Sequence, residues 1–316
     1  MADNFTRREV LKLGSLALGA AAAGPGLLLG DPARAQSAPP VQPARTRSLR
    51  IAHLTDIHVQ PERGACDGLE QCLRHAMALD EAPGVIVTGG DLIMDGFEAD
   101  RARTALQWDL WRRHFADLCG LPVQHTLGNH DIWGWNKSRS GARGNEREWG
   151  KRWAMDELGL DAAHQACDHG AWRIVTLDNV QRDAPDGYVA FLDEAQFEWL
   201  DRTLADAAAR SMHVLVVSHI PIFSVSAMDW AKPDGAGKTL RVSGGLMHVD
   251  ANKVMALFRR HGCVRACLSG HMHRIERIDY DGVAFICDGA VCGSWWKGPE
   301  NQCDEGYGVV DLFSDG

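Results

Sequence analysis

The chain has 316 residues, 24% charged and 45% hydrophobic, an ordinary globular balance that excludes collagen-like, low-complexity or largely disordered proteins. Its formal net charge is −9, and no basic run follows the N-terminal segment, which argues against binding long nucleic acid through its phosphates. A small anion is still admissible, because bound cations would reverse the local sign.

In chain order, the first segment reads as an address rather than as fold. Thr6-Arg7-Arg8-Glu9-Val10-Leu11-Lys12 resembles a twin-arginine export motif. An apolar run rich in Ala and Gly extends from Leu13 to Leu29, and Ala33-Arg34-Ala35 offers a small-residue cleavage site. Residues 1–35 are therefore read as a twin-arginine signal peptide, 36–48 as a Pro-rich linker, and 49–316 as one domain. The competing reading of the run is a transmembrane anchor. Its Gly and Pro content and the missing stop-transfer flank favour removal. The expectation is a protein exported by the twin-arginine machinery to the periplasm or beyond, with no stable membrane anchor.

Leu49 to Thr55 predicts a strand, Gly68 to Leu79 a helix, and Gly84 to Thr88 a short apolar strand. Ala99 to Leu118 predicts a long helix, and Leu121 to Thr126 a strand. A further strand is expected over Trp172 to Leu177, a helix over Asp193 to Ala209, and a strand over Met212 to Val217. Val249 to His261 reads as a helix and Cys263 to Leu268 as a strand. The tail changes character, with strands expected at Ile275 to Tyr280, Val283 to Cys287 and Gly306 to Phe313, joined by turns such as Asp281-Gly282. Alternating strands and helices followed by hairpins imply mixed sheets with helices outside.

Five short blocks of metal-binding side chains punctuate this pattern: Asp56-Ile-His58, Gly90-Asp91, Gly128-Asn129-His130-Asp131, Ser218-His219 and Gly270-His271-Met272-His273. Each falls at or just after the end of an expected strand. Sites on such sheets gather at the C-terminal strand ends. Carboxylate, imidazole and amide donors from several strands can there converge on a two-metal hydrolytic centre. A block by itself is often incidental; the whole set in this order is not.

The order DxH, GGD, GNHD, SH and GHxH resembles the calcineurin-like metallophosphoesterase superfamily over roughly residues 49 to 313, and leans toward its cyclic-nucleotide phosphodiesterase-like branch. The resemblance implies a four-layer αββα sandwich of two mixed β-sheets flanked by helices, with a binuclear metal site at the C-terminal strand ends. It implies a first metal held by Asp56, His58, Asp91 and His273, and a second held by Asp91, Asn129, His219 and His271. Asp91 and a water or hydroxide would bridge them, and His130 would face the scissile phosphate without binding metal. Such donors suit Fe, Mn or Zn as two divalent or trivalent ions, and no Cys within the motifs demands a softer metal. His130 would stabilise developing charge or protonate the leaving oxygen.

The function implied is an exported phosphohydrolase, a phosphodiesterase first, acting on a small phosphate ester. A phosphomonoesterase of acid-phosphatase type is the alternative, and a non-catalytic phosphate- or metal-binding relative a further one. Asp95 or Asp131 is expected to orient His130. Trp133 and Trp135, directly after the GNHD block, are candidates for holding a leaving group, and His248 for touching substrate. Trp149 and Trp153 read as core; a second Trp-rich stretch, Ser294-Trp295-Trp296-Lys297-Gly298, flanks the motifs in the tail, and a core role is the plainer reading of its tryptophans. Arg139 and Arg143 could add phosphate contacts, although a solvated loop is the plainer reading. His53 reads as a packed strand residue, and His75, His114, His164 and His261 as residues without partners. The 9 cysteines include no C-x-x-C pair. Cys66 with Cys72, or two of Cys287, Cys292 and Cys303, are candidate disulfides in an exported protein, whereas Cys263 and Cys267 read as buried thiols.

Overall fold

The computed structural model describes residues 45–300 and 303–316, so the leader and residues 36–44 of the linker lie outside the described residues. From the N-terminal side come β1 (Arg47–Leu54), α1 (Ala65–Met77), β2 (Val85–Thr88) and α2 (Arg101–Trp111), the last running into a π-helical turn at Arg112–Ala116. Next are β3 (Val123–His125), α3 (Lys137–Ser140), α4 (Arg152–Leu158), β4 (Gln165–His169) and β5 (Trp172–Thr176). The hairpin β6 (Val180–Asp183) and β7 (Gly187–Ala190) precedes α5 (Glu194–Ala209) and β8 (His213–Val217). A 3-10 turn at Ser226–Trp230 leads to the short strands β9 (Lys232–Pro233) and β10 (Leu240–Arg241). The chain closes with α6 (Ala251–His261), β11 (Val264–Ser269), β12 (Ile275–Tyr280), β13 (Val283–Asp288) and β14 (Gly308–Phe313).

Local chemistry explains the element ends. The Asp100 and Asp193 carboxylates accept the backbone N–H of Arg103 and Gln196, capping α2 and α5. Gly262, at φ 64°, takes the left-handed turn that stops α6. Leu69, Leu73 and Ala76 recur at helical spacing on α1 and form its buried stripe. Strand β2 is buried along its whole length, as its unbroken Val-Ile-Val-Thr run requires.

Two mixed sheets result, ordered β14-β1-β2-β3 and β12-β13-β11-β8-β5-β4. Strands β1, β2 and β3 run parallel, as do β5, β8, β11 and β13; β14, β4 and β12 are antiparallel edges. Ile51, Val85 and Val87 of the first sheet meet Ile174, Leu215, Val217 and Leu268 of the second. On the far face of the first sheet, Ala52, Leu54 and Ile86 pack under Leu69 and Leu73 of α1 and Trp108 of α2. On the far face of the second, Val214 and Val216 pack under Leu200 and Leu204 of α5 and Val254 and Phe258 of α6. Each such side chain contributes about 1.5–3 kcal/mol of burial free energy. The architecture is the four-layer αββα sandwich that the family resemblance implies, and the parallel strands of both sheets end on one side, where the motif blocks follow.

Several elements differ from the sequence reading. The expected long helix is α-helical only to Trp111 and then widens into the π turn at Arg112–Ala116. Strand β4 and the β6–β7 hairpin were not expected, because half-exposed polar alternation on an edge carries little apolar signal. The terminal strand pairs antiparallel with β1 from Arg47↔Phe313 to His53↔Gly308, so it completes the first sheet's edge within this chain. No helix among the described residues is long and apolar enough to cross a membrane.

Candidate metal centre

The site is assembled from the loops that follow β1, β2, β3, β8 and β11. The loops after β1 and β2 run side by side, with Asp56 N–H donating to Gly90 O (3.0 Å) and His58 N–H to Asp91 O (2.9 Å). The two sheets are tied across the centre by the His271 backbone N–H, which donates to both Asp56 oxygens (3.0 and 2.9 Å). Asp56, His58, Asp91, His271 and His273 all have φ between 48° and 68°, the left-handed region that non-glycine residues avoid. Such strain persists where the surrounding structure over-determines it, and it clusters at functional sites. Glycine is needed at position 270 for space: a Cβ there would collide with the Thr55 hydroxyl and the Asp56 carboxylate.

Asp56, His58 and His219 are fully buried, and Asp91 and Asn129 nearly so. His219 Nε2 lies 3.2 Å from Asp91 Oδ2 and 3.2 Å from Asn129 Oδ1. His271 Nδ1 lies 3.2 Å from His219 Nε2. On the other side, His58 Nε2 lies 3.6 Å from Asp91 Oδ2 and 4.0 Å from Asp56 Oδ1, and His273 Nε2 lies 3.3 Å from Asp56 Oδ1. The seven residues expected as ligands are thus brought together, with Asp91 between the two groups. His219 and His273 each donate the remaining ring N–H to a backbone carbonyl, Gly89 O and Gly293 O, both at 2.9 Å, which fixes ring orientation.

These residues fit cations. Both ring nitrogens of buried His58 lack a hydrogen-bond partner. Leaving such a group unsatisfied costs about 1–3 kcal/mol. Two buried carboxylates face one another's surroundings with no Lys or Arg paired to either among the described residues. The donor atoms of Asp56, His58 and Asp91 lie within 4.8 Å of one another, as do those of Asp91, His219 and His271. Nitrogen and oxygen donors of this kind suit Fe, Mn or Zn.

The protons occupy places that a cation would take. Burial works against charge on His219, but the Asp91 carboxylate outweighs it and lifts the imidazole pKa to about 9. His273 is likewise penalised by burial, yet Asp56 lifts it to about 11. Burial opposes ionised Asp56 too, and His273 holds it at about 2. His58 and His271 are pulled down by burial to about 3 and about 4, and remain neutral donors.

His130 is the half-exposed imidazole at the rim. Its backbone N–H donates to Asp91 Oδ1 (2.8 Å), and its ring meets that of His58 edge-on at 4.9 Å. Its Nδ1 lies 3.8 Å from Asp95 Oδ1 and has no hydrogen bond. Asp95 is therefore the carboxylate that faces His130, and Asp131 is not. Fully buried Asp131 instead accepts backbone N–H groups from Asp91 (2.9 Å), Leu92 (2.7 Å), Ile93 (3.3 Å) and Gly128 (2.8 Å). Burial and the neighbouring Asp91 charge push its pKa up to about 7.

Further expectations are corrected. Trp133 and Trp135 are core residues, 2% and 6% exposed, because an antiparallel bridge from Trp133 to Gly150 turns that loop inward. Trp133 packs edge-on against Trp153, and Trp135 against Phe97. His248 is buried between Asn179 (2.7 Å) and Asp250 (3.0 Å), away from any open face. His75, His114 and His261 do have partners, namely Tyr307, Glu70 and Asp201, while His164 leans on Trp199 with the ring planes tilted by 57°. His53 is a buried strand residue that spans the sheets to Asp288 (2.8 Å). Arg139 pairs with Glu98 at 3.0 Å. Cys66, Cys72, Cys287 and Cys292 are free thiols, so neither Cys66–Cys72 nor Cys287–Cys292 is a disulfide; Cys263 and Cys267 are buried thiols, as expected.

The residue that sequence reasoning left in the core is Trp295. Its ring centroid lies 4.2 Å from His58, 4.9 Å from His273 and 5.3 Å from His130. Cys292 is a second unanticipated neighbour, with Sγ 4.0 Å from His273 Nδ1. Both lie on the loop after β13, which returns to the centre through Val291 N–H to Thr55 O (2.9 Å). The available sequence signal was the glycine-rich Gly289-Ala-Val-Cys-Gly293-Ser-Trp-Trp296 run directly after a strand.

The sandwich and its paired carboxylate–imidazole groups define a metallophosphoesterase. Residues 49–274 match the calcineurin-like phosphoesterase family, and the chain belongs to it. Among curated relatives, a 3',5'-cyclic adenosine monophosphate phosphodiesterase from Pseudomonas aeruginosa is 28% identical over 87% of this chain and 89% of its own. A manganese-dependent ADP-ribose/CDP-alcohol diphosphatase from rice is 29% identical, over 33% of this chain and only 32% of that enzyme. The Escherichia coli K12 cyclic adenosine monophosphate phosphodiesterase is 29% identical over 52% of this chain and 54% of its own. A dimetal phosphatase from Danio rerio has the same fold, with TM-score 0.59 and 18% identity over 84% of this chain and 93% of that one.

Proposed function

We propose that the chain is a binuclear metal-dependent phosphodiesterase acting on a small phosphate ester. The observation that carries this reading is the position of Asp91, whose Oδ2 faces His58 at 3.6 Å on one side and His219 at 3.2 Å on the other. One carboxylate shared by two donor groups is what a pair of cations requires. Asp56, His58, Asp91 and His273 would hold one ion, and Asp91, Asn129, His219 and His271 the other. When bound, the ions supply Lewis-acid stabilisation of the phosphoryl oxygens and an acidified water. His130, at the open rim, donates a hydrogen bond or proton to the leaving oxygen, and Asp95 orients it.

A diester is favoured over a monoester on charge. A monoester dianion calls for cationic side chains besides the metal ions, whereas the groups here are two carboxylates, imidazoles and an amide, with no Lys or Arg paired to those carboxylates among the described residues. Arg274, next to His273, is turned to Asp229 (3.4 Å) and to the Trp230 ring (5.0 Å). Similarity to the Pseudomonas phosphodiesterase along most of both chains supports the same choice.

The test joins metal analysis to a substrate panel. Two metals per chain and faster turnover of a bis-aryl than of a mono-aryl phosphate are expected. The reverse preference makes it a phosphomonoesterase, and fewer than two metals with no hydrolysis overturns the enzyme assignment. Export by the twin-arginine route to the periplasm belongs to the same proposal, and suits a protein that folds round its metals first. Replacing Arg7 and Arg8 with Lys should then keep the full-length chain in the cytoplasm; unchanged periplasmic recovery would end that part.

A further inference from the structure

Nothing in the hydrolytic chemistry above uses Trp295, yet the fold places it with care. Trp295 and Trp296 are consecutive non-glycine residues at φ 57° and 59°. Two bulky residues in the left-handed region are costly, and such strain persists only where the surroundings hold it. Four contacts do so. Trp296 Nε1 donates to Ile57 O (2.9 Å) and His58 O (3.1 Å), and Trp296 N–H to Cys292 O (2.8 Å). Arg63 Nη1 donates to Trp295 O (2.9 Å). Gly68 leaves the space for the Trp296 ring that a Cβ would fill. With Trp296 anchored, the Trp295 indole tilts over three imidazoles of the centre while staying half-exposed.

A purely sealing side chain would do equally well as Leu. An aromatic plane at the mouth of a phosphate site does more, because a π-face accepts any planar ring with little regard to its substituents. Half-exposure leaves part of the indole accessible, and its ring lies 5.3 Å from that of His130.

We propose that Trp295 is a specificity-determining residue: its indole stacks on the aromatic group, an aryl ring or a nucleobase, of the ester held at the centre. The proposal rests on the phosphoesterase reading for the phosphate and on Trp295 alone for the aromatic group. The experiment is calorimetric binding of phenylphosphonate and methylphosphonate to metal-loaded wild type, Trp295→Phe and Trp295→Leu, with metal content measured on each. Stacking of one ring is expected to favour phenylphosphonate about tenfold in the wild type. Trp295→Phe should keep most of that preference, and Trp295→Leu should lose it while retaining its metals and its methylphosphonate affinity. A wild type without the preference, a Trp295→Leu protein that keeps it, or equal weakening of both ligands would overturn the proposal. Binding is read without turnover, so an absence of hydrolysis sinks the enzyme reading while the phenyl-to-methyl ratio still decides the role of Trp295.

Discussion

Asp91 Oδ2 and His219 Nε2 lie 3.2 Å apart although they come from different sheets, one from the loop after β2 and the other from the loop after β8. The same oxygen faces His58 at 3.6 Å. A carboxylate so placed loses both roles together if one oxygen becomes an amide. Asp91→Asn is expected to bind at most one metal per chain and to lose about a thousandfold or more in kcat. Atomic-absorption metal counts beside initial rates check this, and a variant with full metal content and near-normal turnover contradicts it.

Asp95 and His130 make the second pair, at 3.8 Å. Burial raises the Asp95 pKa above the usual carboxylate range, so the carboxylate protonates earlier on acidification than an exposed one. On the proposed role, ionised Asp95 is the form able to accept from His130 Nδ1–H, 3.8 Å away in this structure. Turnover should therefore fall on the acid side as Asp95 takes up its proton. Asp95→Asn should lower kcat about 10–100-fold at its optimum, keep both metals, and flatten that acid limb. Unchanged turnover and pH profile would show that Asp95 only shapes the turn before Gly96.

The candidate metal ligands were legible in the sequence because each follows a strand end, and a strand end fixes both place and direction. Asp56 follows β1 and His271 follows β11 in the pattern as in the fold. Trp133 and Trp135 were misread for the complementary reason. They are close to His130 along the chain, but Gly134 N–H donates to Gly96 O (3.0 Å), which directs both rings inward. Trp295 was hard to place from sequence, the glycine-rich run after β13 being its only local signal, because its position depends on the return of a distant loop to Thr55, a long-range contact without local periodicity. Asp131 and Asp95 look equivalent beside the motifs. Only the backbone N–H groups converging on Asp131 separate their tasks.

Metal loading should release protons. His219 and His273 have pKa values of about 9 and about 11 in the metal-free protein, so both are protonated at neutral pH. A ligand imidazole must be neutral. Calorimetric titration with Zn²⁺ in buffers of differing ionisation enthalpy is expected to give about two protons released at pH 7. The linked stability has a definite sign. Both folded pKa values lie above the unfolded value of about 6.5, so this stabilisation is full below 6.5 and is lost as pH rises through about 9 and about 11. Asp56, depressed to about 2, stabilises above its unfolded pKa and ceases to do so as pH falls through about 2. Metal-free protein should thus lose melting temperature between pH 7 and 10, and metal-loaded protein much less. Identical alkaline profiles for the two forms would contradict the assignment of those protons to the centre.

Asp131 holds the loops that carry Asp91 and Asn129. Its Oδ1 accepts from Leu92 and Ile93, and its Oδ2 from Asp91 and Gly128, so both oxygens are needed as acceptors. Asn at this position keeps the volume but turns one acceptor into a donor that faces N–H groups. Ala leaves all four N–H groups without this partner in a fully buried place. With about 1–3 kcal/mol for each unsatisfied buried group and partial relaxation, either change should cost about 3 kcal/mol or more. The expected result is a clear fall in the denaturation midpoint of both variants. Metal affinity should drop as well, because Asp91 is displaced through its own backbone, while the Asp95-dependent acid limb of the residual activity stays in place. If Asp131→Asn instead kept wild-type stability and lost only that limb, Asp131 would be acting on His130 after all, and the clamp reading would be wrong.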